Sequence, residues 1–231
     1  MREEAPGRSN SVFAGVLAAL IAADLLLGAA GVLHDPSVWG QPGFSRFAAE
    51  LPCVLLVYAV ILGFLARRRG SEWNQARLLA WRFGLASGAV EILDSVLEDD
   101  AKAPHGGWIA LSFMFTVFAL WGVAAGLGAR RTGSVRSGLL AAVVAAGICM
   151  LVAVGAGFVL EFFVKPPDLR AVATWAEFQR SGWSDARAFA VANTLDSGFT
   201  HLAVAPLVAL VFGAVGSIVG VLRNKAARVP A

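Results

Sequence analysis

The sequence predicts an all-α protein, a polytopic transmembrane helical bundle of about six spans with one amphipathic helix at the outer membrane interface. Of its 231 residues, 58% are hydrophobic and only 15% are charged, whereas an ordinary soluble domain has about 25% charged residues. Several apolar runs are long enough to cross a hydrocarbon core of roughly 30 Å at about 1.5 Å per helical residue. We therefore expect a single integral membrane domain over residues 1–231, surrounded by a lipid bilayer.

Six segments are expected to cross the membrane, and the third has the weakest apolar signal. The first is too long for the hydrophobic region of a signal peptide, so it is interpreted as an uncleaved helix. Pro166 and Pro167 are expected to end the fifth helix. The stretch that leads into the sixth is longer than a bilayer requires, so its first part either projects above the membrane or breaks at Gly198. The predicted spans are 12–33, 49–66, 78–97, 107–128, 138–164 and 190–222.

Residues 165–189 form the substantial segment predicted to lie outside the membrane, on the extracytoplasmic side. Apolar residues recur there at helical spacing, which is typical of a helix that lies on a membrane surface. A break is expected at Ser181 and Gly182, after which Ser184 or Asp185 can cap the last helix. The aromatic residues expected to anchor this segment in the interface are Trp175, Phe178 and Trp183.

Basic residues are concentrated in alternate loops, and this predicts the orientation. Under the positive-inside rule, both termini are cytoplasmic and the protein lies in the cytoplasmic (inner) membrane as a multi-pass protein. If 78–97 did not cross, the basic clusters after it would move to the outer side, so that span is retained. Twelve bases fall inside, namely Arg2, Arg8, Arg67, Arg68, Arg69, Arg77, Arg130, Arg131, Arg136, Arg223, Lys225 and Arg228, against six outside, namely Arg46, Lys102, Lys165, Arg170, Arg180 and Arg187.

The third predicted helix carries two carboxylates where lipid contact would be unfavourable. Ionisable groups inside a bilayer cost from about 2.5 kcal/mol upward on insertion scales, so they normally face protein or water. On a helical wheel, Glu91 and Asp94 share one third of the circumference with small residues. We therefore expect this face to contact other helices. The small residues on it are Gly84, Ser87, Gly88 and Ser95, and Glu98 follows them.

Other predicted helices also carry ionisable residues in the middle or outer half of the membrane. Asp24 lies beside glycines in the first helix, and Asp196 and His201 lie near the start of the sixth. Carboxylates that converge in a low dielectric require a partner, water or a bound cation. The candidate polar cavity therefore consists of Asp24, Glu91, Asp94, Asp196 and His201.

Three functions remain open. The favoured one is a non-enzymatic accessory, scaffold or assembly subunit whose buried polar groups specify helix packing. The second is a small cation- or proton-coupled solute transporter that uses the acidic cavity. The third is a membrane-embedded metal enzyme in which His201, with His34 or His105, binds a metal. No H-E-x-x-H or G-x-S-x-G pattern supports the third, so no catalytic residue, metal ligand or cofactor is assigned.

Partners other than lipid are suggested by small residues at four-residue spacing. Gly122 with Gly126, and Gly216 with Gly220, make faces that suit helix packing, a homo-oligomer or a membrane complex, and packing within the chain is the favoured interpretation. The formal charge of +3 belongs to short loops without a basic aromatic groove. Nucleic acid is therefore not expected as a partner.

Overall fold

All regular secondary structure is helical in the part of the chain that the computed structural model describes, residues 6–68, 70–97 and 106–227. This confirms the predicted all-α class. A 3₁₀ turn, Pro36–Gly40, follows the first helix, and a π-helical turn, Leu160–Val164, extends the fifth. The α-helices are α1 (Pro6–His34), α2 (Phe44–Ala66), α3 (Ser71–Leu97), α4 (Gly106–Thr132), α5 (Val135–Val159), α6 (Leu169–Val172), α7 (Ala176–Ser181) and α8 (Ala186–Ala226).

Five of these helices are long and apolar enough to cross a membrane, so the chain is a transmembrane protein. They are α1, α2, α4, α5 with its π-helical turn, and α8. The third predicted crossing is also a helix, α3, but it is not among the five, because Arg82, Glu91 and Asp94 all fall within its apolar run. The existence of α3 as a helix is confirmed, and its membrane crossing stays a prediction.

Two compact units make up the chain. Unit 1 contains the described parts of Met1–Ala66 and Val154–Leu202, and unit 2 contains those of Arg67–Ala153 and Ala203–Ala231. Unit 1 therefore holds α1, α2, the end of α5, the short helices and the first part of α8. Unit 2 holds α3, α4, most of α5 and the remainder of α8.

In unit 1, α1 packs closely against α2 and α8 at Gly28. A Cβ atom added there would lie 2.9 Å from Leu51 of α2 and 3.4 Å from Leu195 of α8. Tyr58 of α2 donates a hydrogen bond of 2.8 Å from its hydroxyl to the backbone oxygen of Leu202. The absence of a side chain at residue 28 thus allows the close approach that the sequence predicted for small residues.

The last helix is continuous, so the predicted alternative of a break at Gly198 is wrong. It runs over 41 residues, which corresponds to about 60 Å. Gly198 is buried, and a Cβ atom on it would lie 2.9 Å from the ring of Phe158. This glycine therefore serves close helix packing in unit 1 and does not interrupt the backbone.

The segment between α5 and α8 contains two short helices where the sequence predicted one. Asp168 caps α6 by accepting a hydrogen bond from Arg170 N, and a tight turn then separates α6 from α7. Gly182, with φ of 73°, ends α7 at the predicted break. Trp183 is only 8% exposed and donates from Nε1 to Pro42 O at 2.9 Å. Trp183 is thus held by protein, contrary to its predicted role as a lipid anchor.

In unit 2, the face of small residues on α3 contacts α4 and α5, as predicted. A Cβ atom on Gly84 would lie 2.8 Å from Ala145 O, and one on Gly88 would lie 3.2 Å from Val152. Ser87, between them, is fully buried and accepts a hydrogen bond of 3.2 Å from Trp121 Nε1 of α4. The α3 face is therefore a packing surface over these residues.

The two glycine pairs also meet within unit 2, on α4 and α8. A Cβ atom on Gly216 would overlap Gly122 O, and one on Gly220 would overlap Gly126 O. The two backbones approach so closely that no side chain fits at the two α8 positions, Gly216 and Gly220. The small-residue faces thus pack within the chain, which was the favoured interpretation.

Candidate functional site

A cavity of about 160 Å³ lies in unit 1, where the end of α1, the end of α5 and the start of α8 meet. Its walls are largely apolar and include Phe162, Pro166 and Pro167. A mostly apolar cavity with a few convergent polar groups is the usual form of a small-ligand site. The polar side chains that line it are His34, Asp35, Glu161, Arg187 and Thr194. We call it the outer cavity, because the predicted topology places these helix ends on the outer side.

Asp35 has one carboxylate oxygen that is satisfied and one that is not. Its Oδ1 atom accepts hydrogen bonds from Ser37 N at 3.3 Å and Ser37 Oγ at 2.6 Å, which caps the 3₁₀ turn. Its Oδ2 atom is buried and accepts no hydrogen bond. Arg187 Nε lies 3.9 Å from Oδ2, close enough for an ion pair but too far for a hydrogen bond. Asp35 therefore lines the outer cavity with a carboxylate whose Oδ2 atom is buried and accepts no hydrogen bond.

Asp185 is linked to Asp35 through the hydroxyl of Ser37. Ser37 Oγ lies 3.0 Å from Asp185 Oδ2 as well as 2.6 Å from Asp35 Oδ1, and a hydroxyl has one proton to donate. Asp185 Oδ1 also accepts from the backbone N–H groups of Arg187 and Ala188, at 2.8 and 3.2 Å. Partial burial raises the pKa of Asp185, but these hydrogen bonds outweigh it, so the pKa lies below its ordinary value.

This arrangement suits a small ligand that donates hydrogen bonds and carries positive charge. A buried acceptor without a partner costs free energy that a donor can recover. Two of the lining side chains are carboxylates and one is a guanidinium. The volume has room for a few water molecules or a ligand of a few non-hydrogen atoms.

Three of the five predicted site residues belong to unit 1, at different places. Asp24 is 1% exposed and faces α5, where a Cβ atom on Gly155 would lie 2.6 Å from Asp24 Oδ1. Asp196 is half-buried on α8 and interacts electrostatically with Arg46. His201 is exposed, and its Nδ1 lies 2.7 Å from Ser197 O. The prediction that Asp24 faces protein is confirmed.

The other two predicted site residues, Glu91 and Asp94, belong to unit 2. Both are half-buried on α3. None of the five predicted residues lines the outer cavity. Their convergence in one shared cavity stays a prediction, and Glu98 lies outside the described residues.

Sequence reasoning missed Asp35 as a site residue and counted Arg187 only as an outer base. Both look like ordinary loop charges, because they lie just beyond the end of α1 and near the start of α8. The predicted topology could have identified both residues, since it places the end of α1, the end of α5 and the start of α8 on one side of the membrane. Polar residues at those three points were candidates for one site.

The described residues offer no group of three or more His, Cys, Asp or Glu side chains placed to hold a metal ion. His105 lies outside the described residues. Comparison with family models, with curated proteins and with solved structures finds no match to this chain.

Proposed function

We propose that the chain is a multi-pass protein of the cytoplasmic membrane that binds a small cation at the outer cavity, as a cation- or proton-coupled solute transporter would. The observation that carries this proposal is Asp35 Oδ2, a buried carboxylate oxygen without a hydrogen bond in the cavity wall. Six crossings with both termini cytoplasmic are part of the same proposal, with α3 as the third crossing.

A cation with N–H groups fits the cavity better than an anion. Such a ligand can donate to Asp35 Oδ2, while its carbon atoms contact Phe162 and the two prolines. An anion would approach two carboxylates, of Asp35 and Glu161, and one guanidinium, of Arg187. We therefore expect small organic ammonium ions to bind more tightly than carboxylates of the same size.

Asp35→Asn tests the proposal with little change to the fold. Asparagine keeps the Oδ1 acceptor that caps the 3₁₀ turn, but it replaces Oδ2 with an NH₂ group that can only donate. We expect the affinity of the purified protein for methylammonium, measured by isothermal titration calorimetry, to fall at least tenfold. Asp168→Asn is the matched control, because that exposed aspartate caps α6 and does not line the cavity.

Arg187→Gln should have the opposite effect. It removes the positive charge 3.9 Å from Asp35 Oδ2, so methylammonium should bind more tightly. Weaker binding in this variant would show that the cavity recognises an anion or a zwitterion, and the proposal would be wrong. The proposal would also be wrong if the wild type, Asp35→Asn and Asp168→Asn bound methylammonium with equal affinity.

The second candidate is a non-enzymatic accessory or assembly subunit. It is favoured by the engagement of buried polar groups in helix contacts, as in the bonds from Trp121 to Ser87 and from Tyr58 to Leu202 O. Reconstitution with a pH-sensitive dye and a panel of ions separates the two functions. An ion-dependent signal that Asp35→Asn abolishes supports transport through the outer cavity. No signal from wild-type protein, with Asp35→Asn equally stable, supports the accessory subunit.

A further inference from the structure

A second cavity, of about 430 Å³, lies in unit 2, and we propose that it binds a phosphate group. It is formed where α3 and α5 begin. The side chains that matter for the proposal are Arg68, Ser71, Glu72, Arg136 and Ser137, all of which line the cavity. We call it the basic cavity.

Two long helices begin at the basic cavity. The α3 helix has 27 residues and begins at Ser71, and α5 has 25 residues and begins at Val135. The N-terminus of a helix carries partial positive charge and N–H groups without intrahelical acceptors, which together favour anions. Gly70, with φ of 130°, precedes α3, and its oxygen accepts the first helical bond from Asn74 N. Since glycine has no side chain, this position supplies no capping oxygen to the first amides of α3.

An independent observation comes from Ser137, in the first turn of α5. Its side chain is buried, with 3% of the residue exposed, and its Oγ atom has no hydrogen-bond partner. Because Ser137 lines the cavity, a ligand oxygen placed there could accept its hydroxyl proton. The first turn of α5 is capped by Ser134 Oγ, which accepts from Ser137 N at 3.4 Å, so the free helix N-terminus is that of α3. A buried hydroxyl donor beside this N-terminus is an arrangement that recognises phosphate oxygens.

The charges agree with this assignment. The lining contains two guanidinium groups, of Arg68 and Arg136, and one carboxylate, of Glu72. Arginine binds phosphate oxygens through two parallel N–H bonds. Glu72 lies in the first turn of α3, where its own carboxylate is favoured by the helix terminus. Glu72 should therefore compete with the phosphate, so its neutralisation should strengthen binding.

The phosphate can belong to a lipid headgroup or to a soluble phosphate compound. The predicted orientation places the loops before α3 and α5 on the cytoplasmic side. A lipid source would require the cavity to be reached from the inner leaflet, and a soluble source would require it to be reached from water. Both sources use the same recognition by the arginines, the N-terminus of α3 and Ser137.

The test measures both sources with the full-length protein. Inorganic phosphate is titrated by calorimetry into protein in neutral detergent, and retention of phosphatidic acid over phosphatidylcholine is measured by native mass spectrometry. Arg136→Gln should weaken binding at least fivefold, and Glu72→Gln should strengthen it. Arg223→Gln is the matched control, since it removes the same charge from a residue of unit 2 that does not line the cavity.

Ser137→Ala distinguishes recognition from a structural role. Its hydroxyl has no partner in the protein, so the variant should unfold at the same temperature as wild type while binding phosphate several-fold more weakly. Binding of inorganic phosphate identifies a soluble source, and selective retention of phosphatidic acid alone identifies a lipid headgroup. Either supports the proposal. The proposal would be overturned if the protein bound neither inorganic phosphate nor phosphatidic acid, or if Arg136→Gln and Arg223→Gln weakened binding equally.

Discussion

Replacement of Gly216 by alanine should destabilise unit 2, although alanine is the better helix former. A Cβ atom at residue 216 would overlap Gly122 O and lie 2.9 Å from Gly122 C. These are backbone atoms of α4, so the overlap cannot be relieved by rotation of a side chain. The two helices must move apart, and the contacts on both sides of the crossing are then weakened.

The expected size of the effect follows from two opposing terms. Overpacking of a closely packed interior typically costs about 1–3 kcal/mol. Alanine in place of glycine inside a helix gains about 0.5–1 kcal/mol. Because the overlap is with backbone atoms, the upper part of the overpacking range applies, about 2–3 kcal/mol. For Gly216→Ala we therefore expect a net loss of about 1–2.5 kcal/mol in the free energy of unfolding, or a midpoint lower by about 2–10 °C for a chain of this size.

Gly122→Ala provides the matched control at the same crossing. A Cβ atom at residue 122 would lie 3.4 Å from Phe212 O, an ordinary contact distance. This variant should unfold at the wild-type temperature or slightly above. Both variants are compared by thermal unfolding in the same detergent, followed by tryptophan fluorescence. Equal destabilisation by the two substitutions would refute the reasoning, as would an unchanged midpoint for Gly216→Ala.

Three further predictions concern a buried hydrogen bond, acid stability and topology. Ser87→Ala should lower the free energy of unfolding by about 1–3 kcal/mol, because it removes the hydroxyl that accepts from the buried Trp121 Nε1, and adding Trp121→Phe should recover part of the loss. The folded-state pKa of Asp185 lies below its ordinary value of 3.8, so ionised Asp185 stabilises the folded protein above pH 3.8, and this stability is lost as the pH falls. Asp185→Asn still caps α8, and it should make the free energy of unfolding fall less steeply as the pH is lowered. A reporter fused after Asp100 should read outside and one after Arg131 inside, whereas an inside reading after Asp100 would remove α3 as a crossing.

The sequence was sufficient for the fold class and for the packing faces of α3, because both depend on where apolar and small residues recur along a helix. The sequence was insufficient to predict that α8 is continuous through Gly198. By local preference Gly198 resembles a helix breaker, but its role is set by Phe158, a residue distant in sequence. The same limit applies to Trp183, whose partner Pro42 lies in another loop.

The candidate site could be predicted less well than the fold. Sequence reasoning selects carboxylates that are unusual in apolar surroundings, and for Asp24 it correctly predicted a protein-facing position. The outer cavity instead forms beyond the ends of the apolar runs, from residues such as Asp35 and Arg187 whose charges are ordinary in loops. Their importance follows from the meeting of helix ends, which hydropathy does not encode.

The π-helical turn at Leu160–Val164 makes the wall of the outer cavity sensitive to the insertion or deletion of a single residue. Lys165 N donates to Leu160 O at 2.7 Å, five residues earlier, so this turn contains one residue more than an α-helical turn. Phe162 is buried within it, stacked on Phe158 and against Gly31. Deletion of one residue would restore an α-helical turn and rotate the residues after it by about 100°. Insertions and deletions at this turn should therefore change which side chains line the outer cavity.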